Sequence, residues 1–240
     1  MFTKFTIYGE RCSGTNFLRK VIVDNFNLEL THLPNVDYAW KHFFGHEKNQ
    51  AAIQSSTDVV ILSIVRNPID YFVSFFKSPH HQSAERIVDF ETFLTSEFYS
   101  INKEGELLTD RYFEQNCRRY KNIFEMRAVK NRFLALTIPK LTANCYLVQY
   151  ERLKNDSEAV LVEISAKFRL TPKQQPFIIE RRRVAPRGTS WDVFDIVDSP
   201  IGENYVVESP KCKEIILSNL DFSAERIVGY IRESIVSRLI

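Results

Sequence analysis

The sequence of 240 residues has little cysteine, glycine or proline: four, seven and nine residues, respectively. The cysteines (Cys12, Cys117, Cys145 and Cys212) are scattered and form no Cys-x-x-Cys pair, which excludes a disulfide framework and a zinc site of the usual spacing. So few glycines and prolines exclude collagen-like and low-complexity architectures. Sparse, unpaired cysteines are typical of a reducing compartment, and we expect a cytoplasmic protein.

Long hydrophobic runs and an excess of charge of either sign are missing too. The longest apolar run, residues 59–65, is far shorter than the roughly 20 residues that a membrane helix needs. Residues 1–8 contain no hydrophobic region typical of a signal peptide. Lys and Arg number 32 against 30 Asp and Glu, so the formal net charge is only +2. We therefore expect no integral membrane segment, no secretion and no nucleic-acid partner.

The residues that are present favour a single α/β domain over residues 1–240. Hydrophobic side chains make up 44% of the sequence and charged ones 26%, enough for a core and too little bias for disorder. Continuous β-branched residues over 58–65 predict a parallel strand buried on both faces. Alternation of such strands with helical periodicity predicts three layers, α/β/α, around a central parallel sheet. The other predicted elements are strands at 5–8 and 147–150 and helices at 15–26, from Pro68 onward, at 157–168 and at 225–239.

A glycine-containing loop follows the first predicted strand and precedes a helix. Gly9-Glu10-Arg11-Cys12-Ser13-Gly14 has the glycine spacing of a phosphate-binding P-loop, in which backbone N–H groups and a helix N-terminus hold an anion. Thr15 stands where the P-loop lysine would be, and Asn16 replaces the hydroxyl that would hold Mg²⁺. The loop therefore suits a phosphate but not ATP hydrolysis. A purely structural strand–turn–helix is the alternative interpretation.

A second motif, Arg66-Asn67-Pro68-Ile69-Asp70-Tyr71-Phe72-Val73-Ser74, follows the buried strand at 58–65. Arg66 at the strand end and Ser74 two turns into the next helix can meet around one anion, since the guanidinium fork suits a phosphate monoester. Asn67 and Asp70 can cap the helix, and Pro68 fits its first turn.

With these two motifs, the sequence resembles the sulfotransferases that use 3′-phosphoadenosine-5′-phosphosulfate (PAPS). In that family a Ser-Gly-Thr loop holds the 5′-phosphosulfate, and an Arg-Asn-Pro-x-Asp-x-x-x-Ser motif holds the 3′-phosphate. The resemblance implies a P-loop sulfotransferase-like fold with a helical insertion on the acceptor side around 78–135. Residues 147–153 are similar to the family's late strand. The cofactor would be PAPS, released as adenosine 3′,5′-bisphosphate, with no metal required.

The resemblance also implies roles for individual residues. Arg66 and Ser74 would bind the 3′-phosphate, and Phe17 would lie beside the adenine. His42 would act as general base, with Lys41 neutralising the leaving group and Arg11 standing in for the basic residue that Cys12 replaces; His32, His46 and Glu10 are rival bases. The remaining predicted cofactor contacts are Arg11, Cys12, Ser13, Gly14, Thr15 and Asn16 on the 5′ side, with Arg187 and Gly188 in a closing loop.

The leading hypothesis is thus a sulfotransferase that modifies an acceptor hydroxyl, and the polar middle segment favours a carbohydrate as the acceptor. A P-loop nucleotide or metabolite kinase and a non-catalytic module that binds a nucleotide or glycan are the alternatives. Basic residues between 118 and 132 alternate with apolar ones, which predicts an amphipathic helix with its charges facing solvent.

Overall fold

The chain alternates strands and helices along most of its described length. A computed structural model describes residues 2–33, 41–42, 44–45, 47–77, 89–99, 112–113, 118–179 and 207–239. In chain order the elements are β1 (Lys4–Tyr8), α1 (Thr15–Asn25), β2 (Glu29–Leu30), α2 (Glu47–Ser55), β3 (Val59–Val65), α3 (Pro68–Lys77), α4 (Phe90–Thr95), β4 (Tyr112–Phe113), β5 (Arg118–Arg119), α5 (Ile123–Arg132), a π-helical segment (Phe133–Thr137), α6 (Ile138–Leu141), β6 (Cys145–Gln149), α7 (Tyr150–Asn155), α8 (Ser157–Phe168), α9 (Pro210–Asn219), α10 (Phe222–Ile227) and α11 (Arg232–Val236).

Four of the strands form one parallel sheet in the spatial order β2-β1-β3-β6. Helices cover both faces, so the predicted α/β/α layering around a parallel sheet is confirmed. Strands β4 and β5 pair separately as a short antiparallel ribbon. In the described part of the chain, no helix is long and apolar enough to cross a membrane.

The sheet is buried on both faces because its central strand is apolar at nearly every position. In β3, Val59 and Ile61 pack into the core beneath α3 and α5, whereas Val60 and Leu62 pack into the opposite core beneath α1 and α8. Successive side chains of a strand point to opposite faces, so a continuous apolar run supplies both cores. This explains why β3 shows no alternation of polar and apolar residues.

The topology brings the ends of β1 and β3 side by side. Tyr8, the last residue of β1, is in register with Ser63 of β3. The chain leaves β1 toward β2 on one side, while β3 and β6 lie on the other side, so the connections diverge between β1 and β3. Ligands of open parallel sheets bind in the crevice at such a point, at the carboxyl ends of the strands. The loop 9–14 and the start of α3 both lie there.

Two helix predictions are corrected. The predicted helix at 225–239 is two short helices, α10 and α11, separated by a turn at Gly229, whose φ of +92° belongs to the left-handed region and ends the helix. In the middle of the chain, the helix α5 does not begin until Ile123, because Asn122 caps it by accepting a hydrogen bond from the Glu125 amide at 3.0 Å. Arg118 and Arg119 lie in β5 and so outside that helix.

Candidate functional site

The loop between β1 and α1 is a tight turn held by its own backbone. The Ser13 amide and hydroxyl both donate to the carbonyl of Glu10, at 3.2 and 2.5 Å. Gly14 has φ +94° and precedes the first turn of α1, and no side chain caps that helix end. The predicted strand–loop–helix order around Gly14 is therefore confirmed. The free first-turn amides leave the positive end of the helix dipole at the loop.

Arg66 and Ser74 of the second motif meet this loop in space. The Arg66 guanidinium donates through Nη1 to the carbonyl of Cys12 at 3.0 Å and lies 4.7 Å above the ring of Tyr150. A side-chain hydrogen bond joins Ser74 to Cys12. The Arg66 Nε is buried without a hydrogen-bond partner, and within the described ranges Arg66 forms no ion pair. The Arg66 guanidinium thus faces the loop without an ion-pair partner in the part of the chain that the structure describes.

Cys12 occupies the turn itself in a left-handed backbone conformation, with φ +62°. That conformation is costly for a residue with a side chain and is concentrated at functional sites. Burial raises the pKa of the Cys12 thiol to about 11, although Ser74 and Arg66 oppose part of that increase. The thiol is therefore uncharged at neutral pH and unsuited to act as a nucleophile.

Lys41 and His42 lie in a turn beside the loop. The Gly9 amide donates to the Lys41 carbonyl at 3.1 Å. His42 is 6% exposed, and its Nδ1 lies 2.5 Å from the carbonyl oxygen of Gly9. Nδ1 therefore carries the proton, and Nε2 is the basic nitrogen.

The electrostatic setting of these two residues favours their uncharged forms. Burial, followed by the neighbouring Arg11 and Lys41 cations, lowers the pKa of His42 well below its usual range. Burial and then Arg19 lower the pKa of Lys41 to about 8, and its Nζ donates to Asn16 Oδ1. At pH 7 the imidazole is neutral and can accept a proton, although as a weak base.

Two basic residues behind the loop are buried, so the prediction that they face solvent is wrong. Lys130 and Arg127 of α5, expected on a solvent-facing surface, are 1% and 4% exposed. The Lys130 ammonium pairs with the Glu10 carboxylate and also donates to the His42 carbonyl at 2.9 Å. Arg127 donates through Nε and Nη2 to the two carboxylate oxygens of Glu225, at 2.6 and 2.7 Å. Their carboxylate partners are distant in the chain, so no local pattern in the helix could reveal this burial.

The other predicted site residues fall into three groups. Arg11, predicted to stand in for the basic residue that Cys12 replaces, is 2% exposed and lies 3.5 Å from the Glu10 carboxylate. Phe17 is 5% exposed within the core beneath α1. Arg187 and Gly188 lie outside the described residues, as does the rival base His46.

The arrangement can bind an anion. The helix end at Gly14 and the guanidinium of Arg66 converge at the crevice between β1 and β3, and both favour negative charge. Among the described residues, no group of three or more His, Cys, Asp or Glu side chains is placed to hold a metal ion. No protein-family model, curated protein or solved structure matches the chain.

Proposed function

We propose that this protein is a sulfotransferase that transfers a sulfuryl group from PAPS to an acceptor hydroxyl, in particular a hydroxyl of a carbohydrate. The observation that carries the proposal is the contact of Arg66 and Ser74 with the Cys12 turn. Two motifs that are more than fifty residues apart in the sequence thereby face one crevice. The motifs resemble those that hold the two phosphate groups of PAPS.

The donor set fits a nucleotide with phosphates at both ends of its ribose. We assign the 3′-phosphate to Arg66 and Ser74, because the guanidinium has a buried Nε without a hydrogen-bond partner and, within the described ranges, forms no ion pair. We assign the 5′ side to Ser13, Gly14 and Thr15 at the start of α1. Thr15 cannot supply the charge of a P-loop lysine, which makes a metal-bound triphosphate a poor ligand.

The chain's own residues supply a base and positive charge beside the loop. PAPS, when bound, supplies an activated sulfuryl group. The Nε2 of His42 can accept the proton of an acceptor hydroxyl, because the Nδ1 is committed to the Gly9 carbonyl. Lys41 and Arg11 can offset negative charge that develops on a leaving phosphate oxygen.

The proposal predicts that Arg66→Ala weakens binding of adenosine 3′,5′-bisphosphate. Removing the charged partner of a desolvated phosphate costs about 2–5 kcal/mol, which corresponds to a loss of affinity of roughly 30-fold or more. Arg66→Lys should restore only part of it, because an ammonium lacks the planar fork. Isothermal titration calorimetry with the bisphosphate, ADP and ATP, each with and without Mg²⁺, measures these affinities.

A matched control is Arg232→Ala, which removes an exposed arginine at the start of α11 and should leave the affinity unchanged. Preference of the wild-type protein for Mg-ATP over the bisphosphate would overturn the proposal in favour of a kinase. Bisphosphate binding without transfer of ³⁵S-labelled sulfuryl groups to any hydroxyl acceptor would indicate a non-catalytic module. The deep burial of His42 is the observation that favours that second candidate.

A further inference from the structure

The peptide group between Arg66 and Asn67 is held on both sides by ionisable side chains. Arg127 Nη2 of α5 donates to the Arg66 carbonyl oxygen at 2.7 Å. The Asn67 amide donates to Glu151 Oε1 of α7 at 2.8 Å. Carbonyl and amide belong to the same planar peptide unit, so these two contacts fix its position and its orientation. The backbone from which the Arg66 side chain extends is thereby held by two other helices.

Both of these side chains are in turn held by the segment after α9. Glu225 of α10, which is 1% exposed, binds Arg127 in a bidentate manner and also accepts from Asn131 Nδ2 at 3.2 Å. The Tyr230 hydroxyl donates to Glu151 Oε2 at 2.6 Å. Glu225 and Tyr230 are coupled as well, since the Tyr230 amide donates to the Glu225 carbonyl at 3.0 Å. One short segment, residues 225–230, therefore reaches both sides of the Arg66–Asn67 peptide.

The side chains that this segment contributes are buried, and Glu151 is half-buried. Tyr230 and Arg127 are 6% and 4% exposed, and the Arg127 guanidinium lies 5.0 Å above the ring of Tyr71. Charge-assisted hydrogen bonds in a region that excludes water are stronger and better oriented than those at a surface. A bidentate arginine–carboxylate pair also restricts rotation of both partners.

We propose that residues 225–230 are a positioning segment that orients Arg66 for phosphate binding, with Glu225 acting through Arg127 and Tyr230 acting through Glu151. This role deepens the proposed function and rests on it. None of the four side chains needs to contact the nucleotide. The segment determines the direction from which the guanidinium meets the 3′-phosphate, and so it determines discrimination between nucleotides with and without that group.

The test substitutes Tyr230→Phe, which removes one hydroxyl and keeps the buried ring. The first measurement is the ratio of affinities for adenosine 3′,5′-bisphosphate and adenosine 5′-monophosphate. We expect a fall in this ratio of about 2- to 10-fold, the contribution of one such hydrogen bond, with little change in 5′-monophosphate affinity. A general loss of stability would instead lower the affinity for both nucleotides by the same factor. The second measurement, hydrogen exchange of the Asn67 amide, should become faster.

The control is Tyr146→Phe, which removes another tyrosine–glutamate hydrogen bond, to Glu163, on the surface of β6 and α8. It should change neither the affinity ratio nor the Asn67 exchange rate. If the wild-type protein discriminates between the two nucleotides and the Tyr230→Phe variant discriminates equally well, the positioning role alone is overturned. Equal affinity of the wild-type protein for both nucleotides would overturn the proposed function and this role with it.

Discussion

At the scale of single residues, the site depends on ionised side chains that are almost fully buried. Glu10, Arg11, Arg127, Lys130 and Glu225 are all less than 8% exposed, and each lies within an ion pair. Burial of a charge is costly unless a partner and hydrogen bonds replace the lost water. These pairs therefore add little net stability when intact, but they make the removal of one partner expensive.

We predict that Lys130→Met destabilises the protein by about 3–5 kcal/mol, because it removes the ammonium that pairs with the buried Glu10 carboxylate and leaves only Arg11, at 3.5 Å, to offset that charge. The control Arg132→Met removes the neighbouring, half-exposed pair with Asp221 and should cost about 0–1 kcal/mol. Urea unfolding measures both. Combining Lys130→Met with Glu10→Gln should recover part of the loss. Equal costs of the two single substitutions would contradict the buried-pair interpretation.

At the scale of elements, the junction between loop 9–14 and α1 is constrained by its neighbour α7. A Cβ built on Gly14 would lie 2.3 Å from Cδ2 of the Tyr150 ring, and φ is +94° there. Tyr150 is also the ring beneath Arg66. The helix start, the aromatic ring and the guanidinium are consequently packed as one unit, and displacement of the ring displaces the Arg66 guanidinium.

We predict that Gly14→Ala is more destabilising than Gly229→Ala, although both glycines have nearly the same φ. Left-handed strain costs each variant about 1–3 kcal/mol. At Gly14 the new methyl group also collides with the Tyr150 ring, which adds about 1–3 kcal/mol of overpacking. At Gly229 it meets the flexible end of the Gln149 side chain, which can move aside. Thermal unfolding compares the two variants, and an equal or larger loss at Gly229 would refute the constraint by Tyr150.

At the scale of the whole molecule, the buried His42 makes the free energy of unfolding depend on pH. Its imidazole is neutral in the folded protein, because burial and nearby cations lower its pKa. In the unfolded chain the pKa returns toward 6.5. Unfolding therefore takes up a proton below that pH, so the contribution of His42 to stability is complete above pH 6.5 and falls as the pH decreases toward the lowered folded-state pKa.

We predict that the wild-type protein loses about 1–1.5 kcal/mol more stability than His42→Asn between pH 7.5 and pH 5.5. Asparagine keeps an amide N–H that can donate to the Gly9 carbonyl but does not titrate in this range. Denaturant unfolding at both pH values gives the difference. Parallel pH dependence of the two proteins would show that His42 is protonated to the same extent in the folded and unfolded states.

Local patterns predicted the elements that depend on local physics. The continuous apolar residues of β3 predicted a strand buried on both faces, and α8 was predicted over Ser157–Phe168, where the structure has it. The loop at Gly14 was predicted because its two glycines have P-loop spacing and lie between a predicted strand and a predicted helix. The burial of Lys130 and Arg127 was missed, because their partners Glu10 and Glu225 lie about a hundred residues away.

The sequence by itself determined the layered α/β architecture, the order of strands and helices around the loop, and the two motifs that could hold phosphate. Hydrophobic periodicity and turn chemistry act over a few residues, so they are legible in the sequence. Only the tertiary structure decided that Arg66 contacts the Cys12 turn, that Arg127 and Lys130 of α5 point inward, and that residues 225–230 hold the Arg66–Asn67 peptide. Those contacts depend on the strand order β2-β1-β3-β6 and on the packing of α5, α7 and α10 against it, because burial and charge pairing are properties of the assembled chain.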